Sequence, residues 1–245
     1  MKSLSLFEQA SQELIASRAL QDRVDTKFVL RREELDGLLS SLSEDFSVVA
    51  SGSTLNSRYQ NLYFDTEEYR FLRDHHRGRR PRFKVRIRHY LDRELSVLEI
   101  KEKAPTERTL KLRKSIPFMA EQFSSSHREF LDAHPAITST DLHPSLRIDF
   151  SRITVVSKHS DERITFDTLL GFSHGDGEVV LERAVIAEIK QPRFAPRSPG
   201  MLALRQCGAM QLRISKYMTG AQLLLSSIRL QRYAPRMKRL RRRIA

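Results

Sequence analysis

Two short stretches place an acid and a lysine two residues apart inside an apolar ladder: "LEIKEK" at 98–103 and "AEIKQ" at 187–191. In a strand, side chains two apart share a face, so Glu99, Lys101 and Lys103 stand together, as do Glu188 and Lys190. The same rule sorts four other stretches. Asp25 joins Lys27; Lys84 joins Arg86 and Arg88; Lys111 joins Arg113; Arg163 joins Thr165 and Asp167. Opposite them stand Phe28, Val85, Ile87, Leu112, Ile164, Phe166 and Ile189. An open antiparallel sheet can set such faces in water. Solvated faces usually mix uncharged polar residues with both signs of charge, whereas these are mostly Arg and Lys punctuated by single acids. If the charged faces converge, their mutual repulsion calls for an anion among them, with acids to balance charge or hold a metal. Guanidinium forks and ammonium point charges suit phosphate oxygens.

The composition points the same way. The chain has 245 residues, 40% hydrophobic and 30% charged, with a net charge of +13. Six cations crowd "RMKRLRRR" at 236–243, and a second cluster lies in "RDHHRGRRPRFKVRIR" at 73–88. Charge alone leaves nucleic acid, polyphosphate and acidic membrane surfaces open. Nucleic-acid readers put basic residues on a helix or interleave them with stacking aromatics. Here Phe28, Phe83 and Phe166 take the apolar face, which favours a walled pocket for a phosphate chain and no specific nucleic acid. Cys207 stands alone, so neither a disulfide framework nor a thiolate metal site is expected, and the default setting is reducing and cytoplasmic. The histidines lack metal-ligand spacing. No stretch approaches the ~18 apolar residues of a membrane span, and the N-terminus lacks the apolar core of a signal peptide.

These side chains need strands to hold them. Alternation predicts strands at 24–30, 57–66, 82–90, 94–103 and 108–116, a hairpin of 146–156 with 161–170, and one or two strands within 176–191. Helical spacing predicts a helix over 1–21, with Leu4, Phe7, Leu14, Ile15 and Leu20 on one stripe. Further helices are expected at 31–42, after Glu67, after Ser198 and within 212–230. Most connections are short, which favours antiparallel pairing. The expected organisation is an N-terminal helix (1–21), one α+β domain (22–228) and a basic tail (229–245). The domain is expected to be a closed antiparallel β-barrel of about eight strands with peripheral helices.

In chain order, "VDTKFVL", "RFKVRIR", "LEIKEK", "RTLKLR", "ERITFDT", "AEIKQ" and "ISKYMTG" resemble the VTC domain. That is the polyphosphate polymerase domain of the vacuolar transporter chaperone, in the triphosphate tunnel metalloenzyme (CYTH-like) superfamily. The resemblance spans roughly residues 22–225. It implies a barrel whose basic tunnel binds triphosphate or polyphosphate with a divalent metal. Lys27 would hold a terminal phosphate. Arg86 and Arg88 would clamp phosphates from one wall, continued by Lys101 and Lys111, with Arg152 and Arg163 facing them. Glu188 resembles the metal-binding glutamate, for Mn2+ or Mg2+, and Lys216 the lysine at the tunnel end. Lys190 and Arg213 complete the substrate-binding set, although Lys190 and Glu99 also read as internal charge balancers.

Three positions depart from the pattern. Arg23 stands where the wider superfamily begins an acid-x-acid-x-Lys motif, and Arg213 stands where a lysine is usual. Arg152 shares parity with Ile148 and Phe150, so an inward side chain there asks for a bulge or a twist. The implied reaction is metal-assisted transfer of the γ-phosphate of ATP to the end of a polyphosphate chain, whose product threads along the tunnel. Hydrolysis of tripolyphosphate or a nucleoside triphosphate, and polyphosphate binding without turnover, are the alternatives. ATP and polyphosphate are the expected partners. The family is compatible with membrane-associated partner proteins, and the basic tail is suited to gathering polyphosphate or anionic lipid.

Overall fold

Charged residues alternating with Val, Ile and Phe favour extended chain over helix, and strands dominate the fold. The computed structural model describes residues 2–19, 23–106 and 109–245. Among these are β1 (Val24–Arg31), β2 (Phe46–Val48), β3 (Asn56–Asp65), β4 (Arg82–Tyr90), β5 (Leu95–Lys103) and β6 (Thr109–Ile116). They are followed by β7 (His143–Ser157), β8 (Arg163–His174), β9 (Gly177–Leu181), β10 (Ala184–Gln191) and β11 (Met210–Gln211). The helices are α1 (Gln12–Ser17), α2 (Arg32–Leu42), α3 (Arg70–Arg77), α4 (Ser125–Asp132), α5 (Pro199–Gln206), α6 (Lys216–Leu224) and α7 (Ala234–Ile244).

All strand pairs are antiparallel, in the order β11-β1-β10-β8-β7-β3-β4-β5-β6, with β2 on β7 and β9 on β8. The sheet has eleven strands where a barrel of about eight was expected, and among the described residues its two ends, β11 and β6, do not pair, so no ladder closes it there. Side chains, not a ladder, cross from β1 to β4. The Lys27 ammonium donates to the Ile214 carbonyl at 3.1 Å, and the Lys84 ammonium donates to Ser215 Oγ at 3.0 Å.

The two faces of the sheet are covered differently. On the outer face, Phe28, Ile153, Ile164, Phe166 and Ile189 pack against Leu35 and Leu39 of α2 and Met201 of α5. Phe83, Val85, Ile87, Leu98 and Ile100 pack beneath Leu131 of α4. Each such side chain contributes about 1.5–3 kcal/mol when fully buried. On the inner face, β1, β7, β8 and β10 change along their length from charged to apolar. Val29, Ile148, Phe150, Phe172 and Ile186 gather with Tyr217 and Met218 of α6 and Met237 and Leu240 of α7. Gly220 lets α6 seat there, because a Cβ would lie 2.6 Å from the side chains of Leu146 and Phe172.

Two terminal segments differ from expectation. The N-terminal stretch forms a 3-10 turn (Lys2–Leu6) and the short α1. Between them Gln9 bridges to Val48, and the Ala10 amide donates to the Val48 carbonyl at 2.9 Å, so that backbone serves the sheet. The boundary expected at 21/22, and Arg108, the first residue of the strand expected at 108–116, lie outside the described residues. The basic tail includes a packed helix: Met237 and Leu240 of α7 are buried, and Arg243 pairs with Glu34. No described helix is long and apolar enough to cross a membrane.

Candidate functional site

Register sets the charged residues of the inner face beside one another. Lys27 stands opposite Glu188 and Asp25 opposite Lys190. Glu188 in turn faces Thr165, and Lys190 faces Arg163. Arg152 is opposite Asp167. On the other arm Lys84 is opposite Lys101, Arg86 opposite Glu99, and Lys101 opposite Lys111.

Two buried carboxylates organise these cations. Glu99 has Arg86 Nη2 at 2.6 Å, Lys111 Nζ at 2.8 Å, Arg113 Nε at 3.1 Å and Arg88 Nε at 4.0 Å. Burial opposes its charge, yet Arg86, Arg88 and Lys111 hold its carboxyl well below the usual range. Glu99 thus takes the balancing role read from the sequence. Arg86 is further fixed by donating to Tyr63 Oη at 2.9 Å. Asp167 accepts both arms of Arg152, at 2.5 and 2.8 Å, and also the Lys216 ammonium. Burial opposes its charge too, and Arg152 and Lys216 hold its carboxyl low. Burial lowers Lys216 to about 8, with Asp167 opposing that shift.

Arg152 reaches this position without a bulge beside it in its own strand; the extra residue of β7, Ser145, lies before Ile148. Ile148 and Phe150 also face inward, so shared parity is what aims it. The register break lies beside it, between Asp149 and Ser151, where β8 contributes an extra residue and Leu169 adopts φ 52°. That insertion lets Asp167 and Leu170 share the inner face although they lie three positions apart.

Glu188 forms a third acidic point. Lys190 Nζ lies 3.2 Å from Oε1. Burial opposes the Glu188 charge, whereas Lys27, Lys190 and Arg152 hold its carboxyl well below the usual range, and Asp25 is its hydrogen-bonding neighbour. Among the described residues no three His, Cys, Asp or Glu side chains form a metal cage. Two adjacent carboxylates nevertheless fit Mn2+ or Mg2+, since such ions commonly take one or two carboxylates and complete their shell with phosphate oxygens and water.

Lys84, Lys101 and Arg163 face inward with no carboxylate in ion-pair range among the described residues. Lys84 lies well below the usual lysine range, from burial first and then from Lys101 and Lys27. Lys101 is lowered by enclosure, then by Lys27 and Arg86, although it keeps exposed surface. Burial and Arg152 lower Arg163. Arg88 is a wall residue, donating to Asn61 Oδ1 at 2.8 Å and lying over the Tyr59 and Tyr90 rings. Lys27, Arg86, Arg88, Lys101, Lys111, Arg152, Arg163, Glu188, Lys190 and Lys216 therefore line the inner face. Arg213 does not join them: it is exposed, between buried Leu212 and Ile214.

Sequence reasoning passed over several residues. Lys84 carried the same parity signal as Arg86, and Asp167 the same as Arg163. Tyr59, Tyr63 and Phe150 floor the site, with Arg152 centred 5.3 Å from the Tyr59 ring and Lys216 4.5 Å from the Phe150 ring. The only sequence signal for the tyrosines was their spacing of four in β3.

A sequence profile of the VTC domain matches residues 22–225. A search of curated proteins finds no match. Among solved structures, an adenylate cyclase candidate from Bacillus halodurans superposes with a TM-score of 0.53 at 16% identity, covering 83% of this chain and 97% of its own. An adenylyl cyclase candidate from Hippeastrum, described as having a dominant triphosphatase activity, gives 0.49 at 16% identity, covering 85% and 99%. A Vibrio parahaemolyticus adenylate cyclase candidate gives 0.49 at 13% identity, covering 82% and 100%.

Proposed function

Because this chain belongs to the VTC domain family, within the triphosphate tunnel (CYTH-like) fold, we propose that it is a polyphosphate polymerase, passing the γ-phosphate of ATP to a polyphosphate chain. The observation that supports this reading is the charge imbalance of the inner face. Glu99 and Asp167 engage Arg86, Lys111, Arg113, Arg152 and Lys216. Lys27, Lys84, Lys101 and Arg163 face the same space with no carboxylate in ion-pair range among the described residues. A condensed phosphate supplies the missing negative charge along an extended lining.

The chain's own residues then do three things. Lys27, Lys101 and Arg163 bind phosphate oxygens and offset charge on the transferred group. Glu99, Asp167 and Tyr63 hold Arg86 and Arg152 in fixed orientation, so little reorganisation accompanies transfer. The acceptor phosphate is already anionic and needs no general base. Asp25 and Glu188 are the residues that would hold a divalent ion; bound there, Mn2+ or Mg2+ withdraws charge from phosphate oxygens.

One observation favours a second reading, hydrolysis of tripolyphosphate or a nucleoside triphosphate. The apolar end of the inner face is filled by α6 and α7, which suits a short chain that enters and leaves by one mouth better than a product threading through. Incubating the protein with ATP and Mn2+ separates the readings. Long acid-labile chains support synthesis, free phosphate alone supports hydrolysis, and tight polyphosphate binding without ATP consumption supports a binding module. Loss of turnover in Glu188→Ala ties the reaction to this face.

A further inference from the structure

One corner of the inner face is rich in donors and short of acceptors. Arg163 on β8 stands opposite Lys190 on β10, and Thr165 stands opposite Glu188. Thr165 is 2% exposed, and its hydroxyl is buried without a hydrogen-bond partner. The Lys190 ammonium is also buried without a hydrogen bond, its nearest carboxylate oxygen being Glu188 Oε1 at 3.2 Å. Arg163 forms no ion pair among the described residues, and its charged neighbours Arg152 and Arg23 are cations.

An unpaired buried hydroxyl destabilises a fold, and beside it an Arg163 guanidinium without a carboxylate and a Lys190 ammonium without a hydrogen bond add to the cost. Valine has nearly the same shape as threonine and would remove the unpaired group, so packing alone gives no reason for a hydroxyl here. A ligand that accepts hydrogen bonds and carries negative charge resolves all three deficits together. Sulfur and carbon acids would also carry charge, but the corner adjoins Glu188 and Asp25, the carboxylates suited to a phosphate-bound divalent ion.

Arg163 and Lys190 already stand in the substrate-binding set that the resemblance implies; we infer that the Thr165 hydroxyl joins them beside Glu188 and donates to a non-bridging phosphate oxygen. This rests on the condensed-phosphate reading and adds to it a neutral, substrate-touching residue that the free protein keeps at the expense of stability. The chemistry is reversible binding, with no bond made or broken by Thr165.

Calorimetric titration with tripolyphosphate, paired with thermal unfolding, tests the subsite on wild type, Thr165→Val and Thr165→Ser. In Thr165→Val, binding weakens by about tenfold or more, while the free protein melts about 2–4 °C higher. Saturating tripolyphosphate removes that thermal advantage. Thr165→Ser, which restores the hydroxyl, keeps wild-type affinity. Wild-type affinity in Thr165→Val overturns the subsite, as does a variant whose free melting temperature and affinity fall together. Wild-type protein that fails to bind tripolyphosphate overturns the condensed-phosphate reading itself, a separate result from an unaffected valine variant.

Discussion

Arg86 Nη2 stands 2.6 Å from Oε2 of Glu99, a side chain with 1% of its surface exposed. Lys111 and Arg113 approach the other oxygen of the same carboxylate. One buried acid thus offsets part of the charge of a cluster that would otherwise repel itself more strongly. Glu99→Gln keeps the shape and removes the charge. Breaking a buried pair from one side costs about 3–5 kcal/mol, so the variant should melt well below wild type. Tripolyphosphate should recover part of that loss, because it supplies negative charge to the same cations. Thermal unfolding with and without the ligand checks both statements; a variant as stable as wild type without ligand contradicts the balancing role.

Arg152 and Lys101 should separate stability from binding. Arg152 neutralises buried Asp167 through two hydrogen bonds. Arg152→Ala leaves that carboxylate to Lys216 alone, and a loss of about 3–5 kcal/mol is expected. Lys101 has no carboxylate in ion-pair range among the described residues and keeps exposed surface. Lys101→Ala should therefore melt like wild type yet bind polyphosphate about tenfold more weakly, the loss of a charged hydrogen bond. Denaturant unfolding and calorimetric titration on both variants measure the contrast, and equal stability losses would show that Lys101 is structural.

How far the sequence reveals this site depends on the distance over which each feature is determined. Period-2 alternation is local, and it correctly aims Lys84, Arg86 and Arg88 away from Val85 and Ile87. Parity also places Glu99 among its cations. Sheet closure is not local: it depends on whether the end strands β6 and β11, far apart in the chain, meet, and here the Lys27 and Lys84 ammonium groups reach Ile214 and Ser215 instead. The insertion in β8 is equally hidden, because Leu169 carries none of the usual Gly or Asn signal for φ above zero. The Asp167–Arg152 pair needs the register of β7 on β8. Parity alone does not reveal the inward tyrosines, because an aromatic ring suits an apolar face, whereas Tyr59 and Tyr63 lie under guanidinium groups.

Glu188 should separate metal dependence from phosphate binding. Its carboxylate is surrounded by Lys27, Lys190 and Arg152, so Glu188→Gln removes negative charge from a cationic surface. Tripolyphosphate measured in chelator should bind the variant at least as tightly as wild type. Turnover with Mn2+ should fall by a factor on the order of 100 or more, since charge withdrawal by a bound metal contributes several kcal/mol to such reactions. Weaker metal-free binding in the variant would instead make Glu188 a support for the neighbouring lysines.

Binding should also depend on pH in a defined direction. Burial lowers Lys111, Lys190 and Lys216 to about 8, with Glu99, Glu188 and Asp167 opposing the shift. An unfolded lysine titrates near 10.4. Between about pH 8 and 10 the unfolded chain therefore binds more protons than the folded one, and these three groups make the free protein more stable as pH rises. Ligand affinity runs the opposite way, because the cations that attract phosphate lose charge through the same window. Tripolyphosphate should bind at pH 7 at least about tenfold more tightly than at pH 9.5. At pH 8 the free lysines are about half protonated, and a bound polyanion raises their pKa, so binding should take up about one proton. Calorimetry in two buffers of different ionisation enthalpy reads that number directly. Proton release, or affinity that is flat from pH 7 to 9.5, would place the binding determinants away from these three lysines.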